Sequence, residues 1–272
     1  MLLNEFHRII DEIFPPAAAM PGDAIGLQVE SQRGTAERVL VALELTDDVF
    51  AEARSLACDV VLVFHPLIYT PLAQVRRTER VGRLVADLIH ADIALLSVHT
   101  AFDAFPQGTN HVLARRLGVT VDRPLVPSDV AGFGMGIVGT VDRGVTFDDL
   151  VERVAAVCGS PIRYIAPRTL AGDPLTVAIV GGSGGSFTSE AIASGADVFI
   201  TADLKYHAFH AADGHIGLID PGHFEMEQFV PTGIIEALGQ HLADDCILML
   251  SSISTNPVRY AGPLPVAYSS SL

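Results

Sequence analysis

Asp59-Val-Val-Leu-Val-Phe64-His65 contains an unbroken apolar run of strand length that ends at a histidine. Short apolar runs rich in β-branched residues are typical of strands that are buried on both faces. Two later apolar runs lead in the same way into His99 and His223. In open α/β sheets, ligands gather outside the carboxyl ends of the strands. The three histidines are therefore predicted to stand where a functional site would form.

Strands and helices alternate around this run. An amphipathic helix with Leu3, Phe6 and Ile10 on one face opens the chain and stops at Pro15-Pro16. Further strands are predicted at 38–43, 59–64 and 93–98, and helices at 47–57, 78–90 and 108–117. This alternation favours a mostly parallel sheet with helices on both faces.

A proline-rich passage with Pro124 and Pro127 indicates a domain boundary, after which the alternation resumes. The second set has predicted strands at 134–141, near 162, and at 175–180, 197–201, 216–219 and 246–250, with helices at 146–157, 187–194, 204–212 and 226–242. We therefore predict two α/β domains, residues 1–125 and 126–272, with mostly parallel or mixed sheets flanked by helices. The C-terminal segment could pack back on the first domain.

The bulk composition narrows the class of protein. No apolar stretch reaches the ~18 residues of a membrane span, and the N-terminus lacks the pattern of a signal peptide. Three cysteines without a CxxC pair are typical of a reducing compartment, so we expect a cytoplasmic protein. The net charge of −15 argues against binding to a nucleic-acid backbone.

Two of the strand-terminal histidines have a carboxylate four residues later. Asp103 follows His99, and Glu227 follows His223, so each pair lies on one face of a turn or helix. Imidazole and carboxylate together suit Zn, Mn or Fe, and one carboxylate can bridge two ions that share a hydroxide for hydrolysis. With His65, these residues predict a metal centre. The alternative is that each histidine is an ordinary hydrogen-bonded residue at a strand end.

A glycine-rich turn, Val180-Gly-Gly-Ser-Gly-Gly-Ser186, follows one predicted strand. The backbone N–H groups of Gly184, Gly185 and Ser186 could bind an anion at the start of the next helix. Tight turns also need glycine for positive φ, so plain turn chemistry is an equal alternative.

A polar segment, Thr201-Ala-Asp-Leu-Lys-Tyr-His207, follows the next strand. His207 could donate or accept a proton, and Lys205, the single lysine of the chain, could hold an anionic substrate. The alternative is a helix start, with Thr201 or Asp203 as the cap and the other side chains in solvent.

These motifs, in this order, resemble the Nif-three-like family, whose members are often labelled GTP cyclohydrolase 1 type 2 homologues. The similar segments are His65-Pro-Leu-Ile-Tyr69, His99-Thr-Ala-Phe-Asp103, Gly108-Thr-Asn110, Gly181–Ser186, Thr201–His207 and Gly222-His-Phe-Glu-Met-Glu227. The resemblance implies a two-domain α/β protein with a dimetal site at the domain interface, assembled as a ring-shaped homohexamer.

Carried over by motif, the resemblance implies that His65, Asp103, His223 and Glu227 are metal ligands and that His99 lines the site. The family usually has two adjacent histidines before the proline, and here the first is Phe64. A phenyl ring cannot ligate a metal, so the second cation should lose one ligand. We therefore expect one or two divalent ions in each subunit.

The favoured function is a metal-dependent hydrolase that acts on a nucleotide-like or pterin-like small molecule. His99 or His207 would carry the proton, and Lys205 with the glycine-rich turn would hold an anionic substrate. The alternative is a non-catalytic metal-binding regulatory or scaffold ring. A ring that threads nucleic acid is disfavoured by the negative charge and by the absence of tryptophan.

Overall fold

The computed structural model describes residues 1–170, 172–242 and 245–261. In this part of the chain, two mixed β-sheets are flanked by helices, as the sequence predicted. The strands are β1 (Gly26–Val29), β2 (Arg38–Ala42), β3 (Val60–Val63), β4 (Ala94–Ser97), β5 (Thr120–Pro127), β6 (Gly134–Thr140), β7 (Arg163–Ile165), β8 (Thr176–Ile179), β9 (Val198–Ile200), β10 (Gly217–Asp220) and β11 (Ile247–Leu250).

The helices cover the faces of the two sheets. They are α1 (Leu3–Ile13), α2 (Asp47–Ser55), α3 (Arg80–Ala91), α4 (His99–Ala104), α5 (Thr109–Leu117), α6 (Phe147–Cys158), α7 (Thr188–Ala193), α8 (Tyr206–Ala212), α9 (His223–Glu227) and α10 (Val230–Leu238). Both α2 and α6 have side-chain N-caps: the Thr46 side chain accepts from Val49 N, and Thr146 forms a capping box with Asp149.

The first sheet has the strand order β1-β4-β3-β2-β11 in the described residues. β11, β2, β3 and β4 run parallel, and β1 pairs antiparallel with β4. Because β3 and β4 are parallel neighbours, the residues that follow them emerge at the same edge. The chain returns to this sheet at its end, since Ile247 of β11 pairs with Arg38 of β2.

The second sheet has the order β5-β6-β8-β9-β10-β7 among the described residues. Its centre, β8-β9-β10, is parallel, whereas β5, β6 and β7 pair antiparallel with their neighbours. The turns after β8, β9 and β10 therefore leave from one edge. These turns carry the glycine-rich segment, the polar segment and His223.

The structure corrects several predicted elements. The proline-rich passage is strand β5, which tolerates its prolines because it lies at the edge of a sheet. Residues 26–29 form strand β1, which is not among the strands predicted from the sequence. The single helix predicted over 226–242 is instead α9 and α10, because Pro231 lacks an N–H and cannot continue α9; residues 243 and 244 lie outside the described ranges.

The two sheets draw on interleaved parts of the chain. The second sheet is built from residues 120–220, and the core of the first sheet includes α10 as well as α1, with Phe6, Val230 and Ile234 in one buried cluster. The division at residue 125 falls inside β5. The domain limits stay a prediction.

Candidate metal centre

His65 and His99 leave the first sheet at its carboxyl edge. The His65 amide donates to Leu43 O at 2.8 Å, and the His99 amide donates to Phe64 O at 3.0 Å, so backbone hydrogen bonding extends two residues beyond the ends of β3 and β4. The two imidazole ring centres are 5.6 Å apart. Rigid strands thus place both side chains over the same edge of the sheet.

Glu227 joins the two sheets. Its Oε2 atom is 3.2 Å from Nε2 of His65, on the first sheet, and 3.0 Å from Nε2 of His223, which follows β10. One ligand atom from each of these three residues lies within 4.8 Å of the other two. Glu227 is only 3% exposed in its side chain. Two imidazoles and a buried carboxylate are a donor set that could hold a transition-metal ion.

Electrostatics within this cluster are strongly coupled. Burial opposes charge on both groups, but the hydrogen bond and charge of Glu227, followed by those of Asp203, raise the pKa of His223 to about 10. The neighbouring imidazoles of His223 and His65 lower the pKa of Glu227 to about 2 despite its burial. Positive charge beside Glu227, from an imidazolium or from a metal ion, therefore offsets the cost of burying its carboxylate.

Asp103 lies close to this cluster; the residue is partly exposed, and its Oδ1 atom is buried. Burial raises the pKa of its carboxyl to about 7, and the charge of Glu227 acts in the same direction. Its Oδ1 atom has no hydrogen-bond partner among the described residues. A buried carboxylate oxygen without a partner costs free energy unless a cation offsets it, so Asp103 fits a fourth ligand. It lies outside the compact three-residue group in this geometry.

Asp203 orients His223. Its Oδ2 atom is 2.7 Å from Nδ1 of His223, which leaves Nε2 facing Glu227. Asp203 has a positive φ of 57°, and the carboxylate of Asp220 holds this turn by accepting from Leu204 N at 3.1 Å. Asp203 therefore does not cap α8, whose N-cap is Lys205. Asp203 was considered in the sequence as a possible helix cap, and its contact with His223 was not predicted.

Asp23 plays the corresponding part for His99. Its carboxylate oxygens are 2.8 and 2.9 Å from Nδ1 of His99, and the same carboxylate accepts from the Thr100 amide at 3.1 Å. Burial opposes ionisation, but the bonds from His99 and Thr100 lower the pKa of Asp23 to about 2. Asp23 is not among the site residues predicted from the sequence. No local spacing links it to His99, which lies 76 residues later.

The glycine-rich turn packs directly on the cluster. A Cβ atom at Gly182 would overlap Oε1 of Glu227 and would lie 3.1 Å from Nε2 of His223. The Gly184 amide donates to Thr201 Oγ1 at 2.9 Å. One of the three N–H groups predicted to bind an anion is therefore already hydrogen-bonded within the protein. Gly185 and Ser186 begin a short 3-10 helix. Anion binding at Gly184, Gly185 and Ser186 stays a prediction.

Two predicted proton or anion carriers lie away from these contacts. Lys205 and His207 are exposed at the start of α8. Within the described ranges, neither forms a hydrogen bond or ion pair with His65, His223 or Glu227. Their roles stay predictions. Phe64, by contrast, is fully buried, and its ring contacts the rings of both His65 and His99.

The protein is thus of the two-sheet α/β class, with a candidate metal-binding triad at the carboxyl edges of its strands. A sequence profile described as Duf34/NIF3 (NGG1p interacting factor 3) matches residues 1–257. The chain belongs to this family, which confirms the resemblance. Across the described residues, no helix is both long and apolar enough to cross a membrane.

Several bacteria have relatives of this chain that share one name. A "GTP cyclohydrolase 1 type 2 homolog" of Lactococcus lactis is 32% identical over 85% of this chain and 89% of its own length. A protein of the same name from Streptomyces coelicolor is 35% identical over 83% of this chain and 81% of its own length.

A solved structure shows the same fold. A hypothetical protein of Staphylococcus aureus superposes with a TM-score of 0.86 at 23% identity, covering 96% of this chain and 99% of that one. At this low sequence identity, the structural similarity shows that the fold is shared and nothing more.

Proposed function

We propose that His65, His223, Glu227 and Asp103 bind a divalent transition-metal ion, Zn, Mn or Fe. The observation that carries the proposal is the convergence of His65 Nε2 and His223 Nε2, from different sheets, on one buried oxygen of Glu227. The unpartnered Oδ1 of Asp103 supports a site that is completed by a cation. The proposed ligands are imidazoles and carboxylates without a cysteine thiolate, a combination that suits Zn, Mn or Fe.

We further propose that the site hydrolyses a nucleotide-like or pterin-like small molecule, as the relatives' name suggests. A bound ion of this kind would supply Lewis-acid activation of water. His99 would then move the proton. Because Nδ1 donates to the Asp23 carboxylate, Nε2 is the atom that accepts and releases it. Lys205, His207 and the glycine-rich turn are proposed to contact the substrate.

The experiment that tests metal binding is elemental analysis of protein purified without a histidine tag, with Zn²⁺ titration. We expect about one ion per subunit, and loss of binding in Glu227→Gln, which keeps the shape but removes the charge. The matched control is Glu236→Gln on the exposed face of α10. If Glu227→Gln binds Zn²⁺ as tightly as the unchanged protein, these residues are not the site.

Catalysis needs a separate test. Metal-loaded protein would be incubated with nucleoside triphosphates, pterins and phosphoesters, and we expect turnover that Asp103→Ala abolishes. Turnover that persists in metal-free protein would contradict the mechanism.

The second candidate is a non-catalytic metal-binding scaffold, favoured by the fully buried Phe64 ring beside the site, where no ligand atom is available. Metal binding without turnover of any compound would support it. A cytoplasmic location and assembly as a homohexamer are part of both proposals, and size measurement by light scattering tests the assembly.

A further inference from the structure

Residues 251–261 follow β11 without regular secondary structure, and we call them the strap. At its beginning the strap is tied to the first sheet and to α2. The Ser251 amide donates to Val41 O at 2.9 Å, and the Ser252 amide donates to Glu52 Oε1 at 2.8 Å. The hydroxyls of both serines also donate to the Glu52 carboxylate.

The far end of the strap is tied to α9. Asn256 Nδ2 donates to Oε1 of Glu225 at 2.8 Å, and Tyr260 Oη donates to the same oxygen at 3.0 Å. Glu225 is buried and lies between His223 and Glu227 on this helix. Within residues 1–170, 172–242 and 245–261, no other group donates a hydrogen bond to its carboxylate.

Tyr260 also covers the turn into α9. Gly222, the residue before His223, has a φ of 95°, and a Cβ atom there would lie 3.1 Å from Tyr260 Oη. The Gly222 amide is held from the other side by Asp220 Oδ1 at 3.0 Å. The start of α9 is thus fixed between β10 and the strap.

We propose that Asn256 and Tyr260 are positioning residues that hold α9 through Glu225 and thereby set the geometry of His223 and Glu227. α9 has only 5 residues, and a helix of one turn has no stability of its own in water. The buried Glu225 carboxylate must be hydrogen-bonded or move towards solvent. Losing the strap's donors would therefore rotate the helix that carries both residues. The metal-binding half of this inference depends on the proposed function.

The sharpest test reverses one hydrogen bond. Asn256→Asp sets a second carboxylate against Glu225 and should loosen α9. In the double variant Glu225→Gln with Asn256→Asp, the introduced amide can donate to the introduced carboxylate, which restores the bond in the opposite direction. Asn4→Asp, exposed on α1, adds the same charge elsewhere and is the matched control.

Two measurements read out the effect. Hydrogen–deuterium exchange of residues 222–228 is followed in metal-free protein, and Zn²⁺ affinity is measured by competition with a chelating dye. We expect Asn256→Asp to speed exchange in this segment and to weaken Zn²⁺ binding about tenfold, the lower end of the range for removing an outer-shell partner. The double variant should recover most of both effects, and Asn4→Asp should show neither.

Unchanged exchange in Asn256→Asp, or a double variant as impaired as Asn256→Asp alone, would overturn the proposal. If Asn256→Asp does not fold, Tyr260→Phe keeps the ring and removes one hydrogen bond, with Tyr164→Phe as its control. Exchange at 222–228 that does not differ between these two variants also overturns it. Unchanged protein that binds no Zn²⁺ would refute the proposed metal site, and exchange would then decide the role of the strap by itself.

Discussion

Asp203 and His223 are 20 residues apart in sequence, yet Oδ2 of one lies 2.7 Å from Nδ1 of the other. The two residues follow the parallel neighbours β9 and β10, so the sheet itself brings them together. A carboxylate on one ring nitrogen fixes the tautomer and directs the other nitrogen to a ligand. In this protein that second nitrogen faces Glu227.

Asp203→Ala is predicted to weaken Zn²⁺ binding by about 10- to 100-fold, the usual cost of removing such a partner. The folded state should lose little stability, because half of the Asp203 side chain is exposed. Competition titration measures the affinity, and thermal unfolding checks the fold. Asp213→Ala, which removes a surface ion pair with Arg168, is the matched control. Equal affinities in the two variants would contradict an orienting role for Asp203.

Gly182→Ala is predicted to abolish metal binding, because the new Cβ atom would overlap Oε1 of Glu227. The substitution also strains the backbone, since Gly182 has a φ of 60°, at a cost of about 1 kcal/mol. Gly144→Ala separates the two effects: φ is 81° there, and apart from its chain neighbours no atom of the described residues lies within 4 Å of the added carbon. Both variants should lose stability, and only Gly182→Ala should lose Zn²⁺. Metal binding by Gly182→Ala at the unchanged affinity would refute this geometry.

Phe64→His is predicted to raise the metal content from about one ion per subunit towards two, because it adds an imidazole beside His65 and His99. Phe64 is fully buried, so the loss of apolar burial should destabilise the protein by about 1–3 kcal/mol. Elemental analysis gives the stoichiometry, and urea unfolding gives the stability. Phe102→His, which alters another fully buried ring of the same cluster, is the control and should leave the metal content unchanged. No additional ion in Phe64→His would show that position 64 does not limit occupancy.

The lowered pKa of the Asp23 carboxyl should make the stability of the protein depend on pH. That pKa is lowered from 3.8 to about 2 in the folded state, so ionised Asp23 contributes stability that is present above pH 4 and is lost as the pH falls through 2. The shift corresponds to about 2 kcal/mol. The difference in free energy of unfolding between metal-free unchanged protein and Asp23→Asn should therefore be largest between pH 4 and pH 6, where His99 is still protonated, and shrink towards pH 2. A difference that is constant from pH 2 to pH 6 would contradict the pairing with His99.

Most of the architecture could be predicted from the sequence, because the apolar periods of strands and helices are local properties. The run ending at His65 and the helix with Leu3, Phe6 and Ile10 fold as predicted. β5 was missed because prolines obscure an edge strand, and the break between α9 and α10 was missed because the apolar pattern continues across Pro231. Neither error displaces His65, His99 or His223 from a strand end.

Local sequence is enough to predict which side chains stand at the ends of strands, since residue identity and the length of an apolar run are properties of a single segment. Local sequence does not predict that one oxygen of Glu227 lies near both His65 and His223, or that Asp203 and Asp23 orient the histidines. The contact of Glu227 with His65 joins the two sheets, whereas each aspartate contacts a histidine at the edge of its own sheet. These contacts depend on strand order and on how the sheets pack together, which no local spacing encodes.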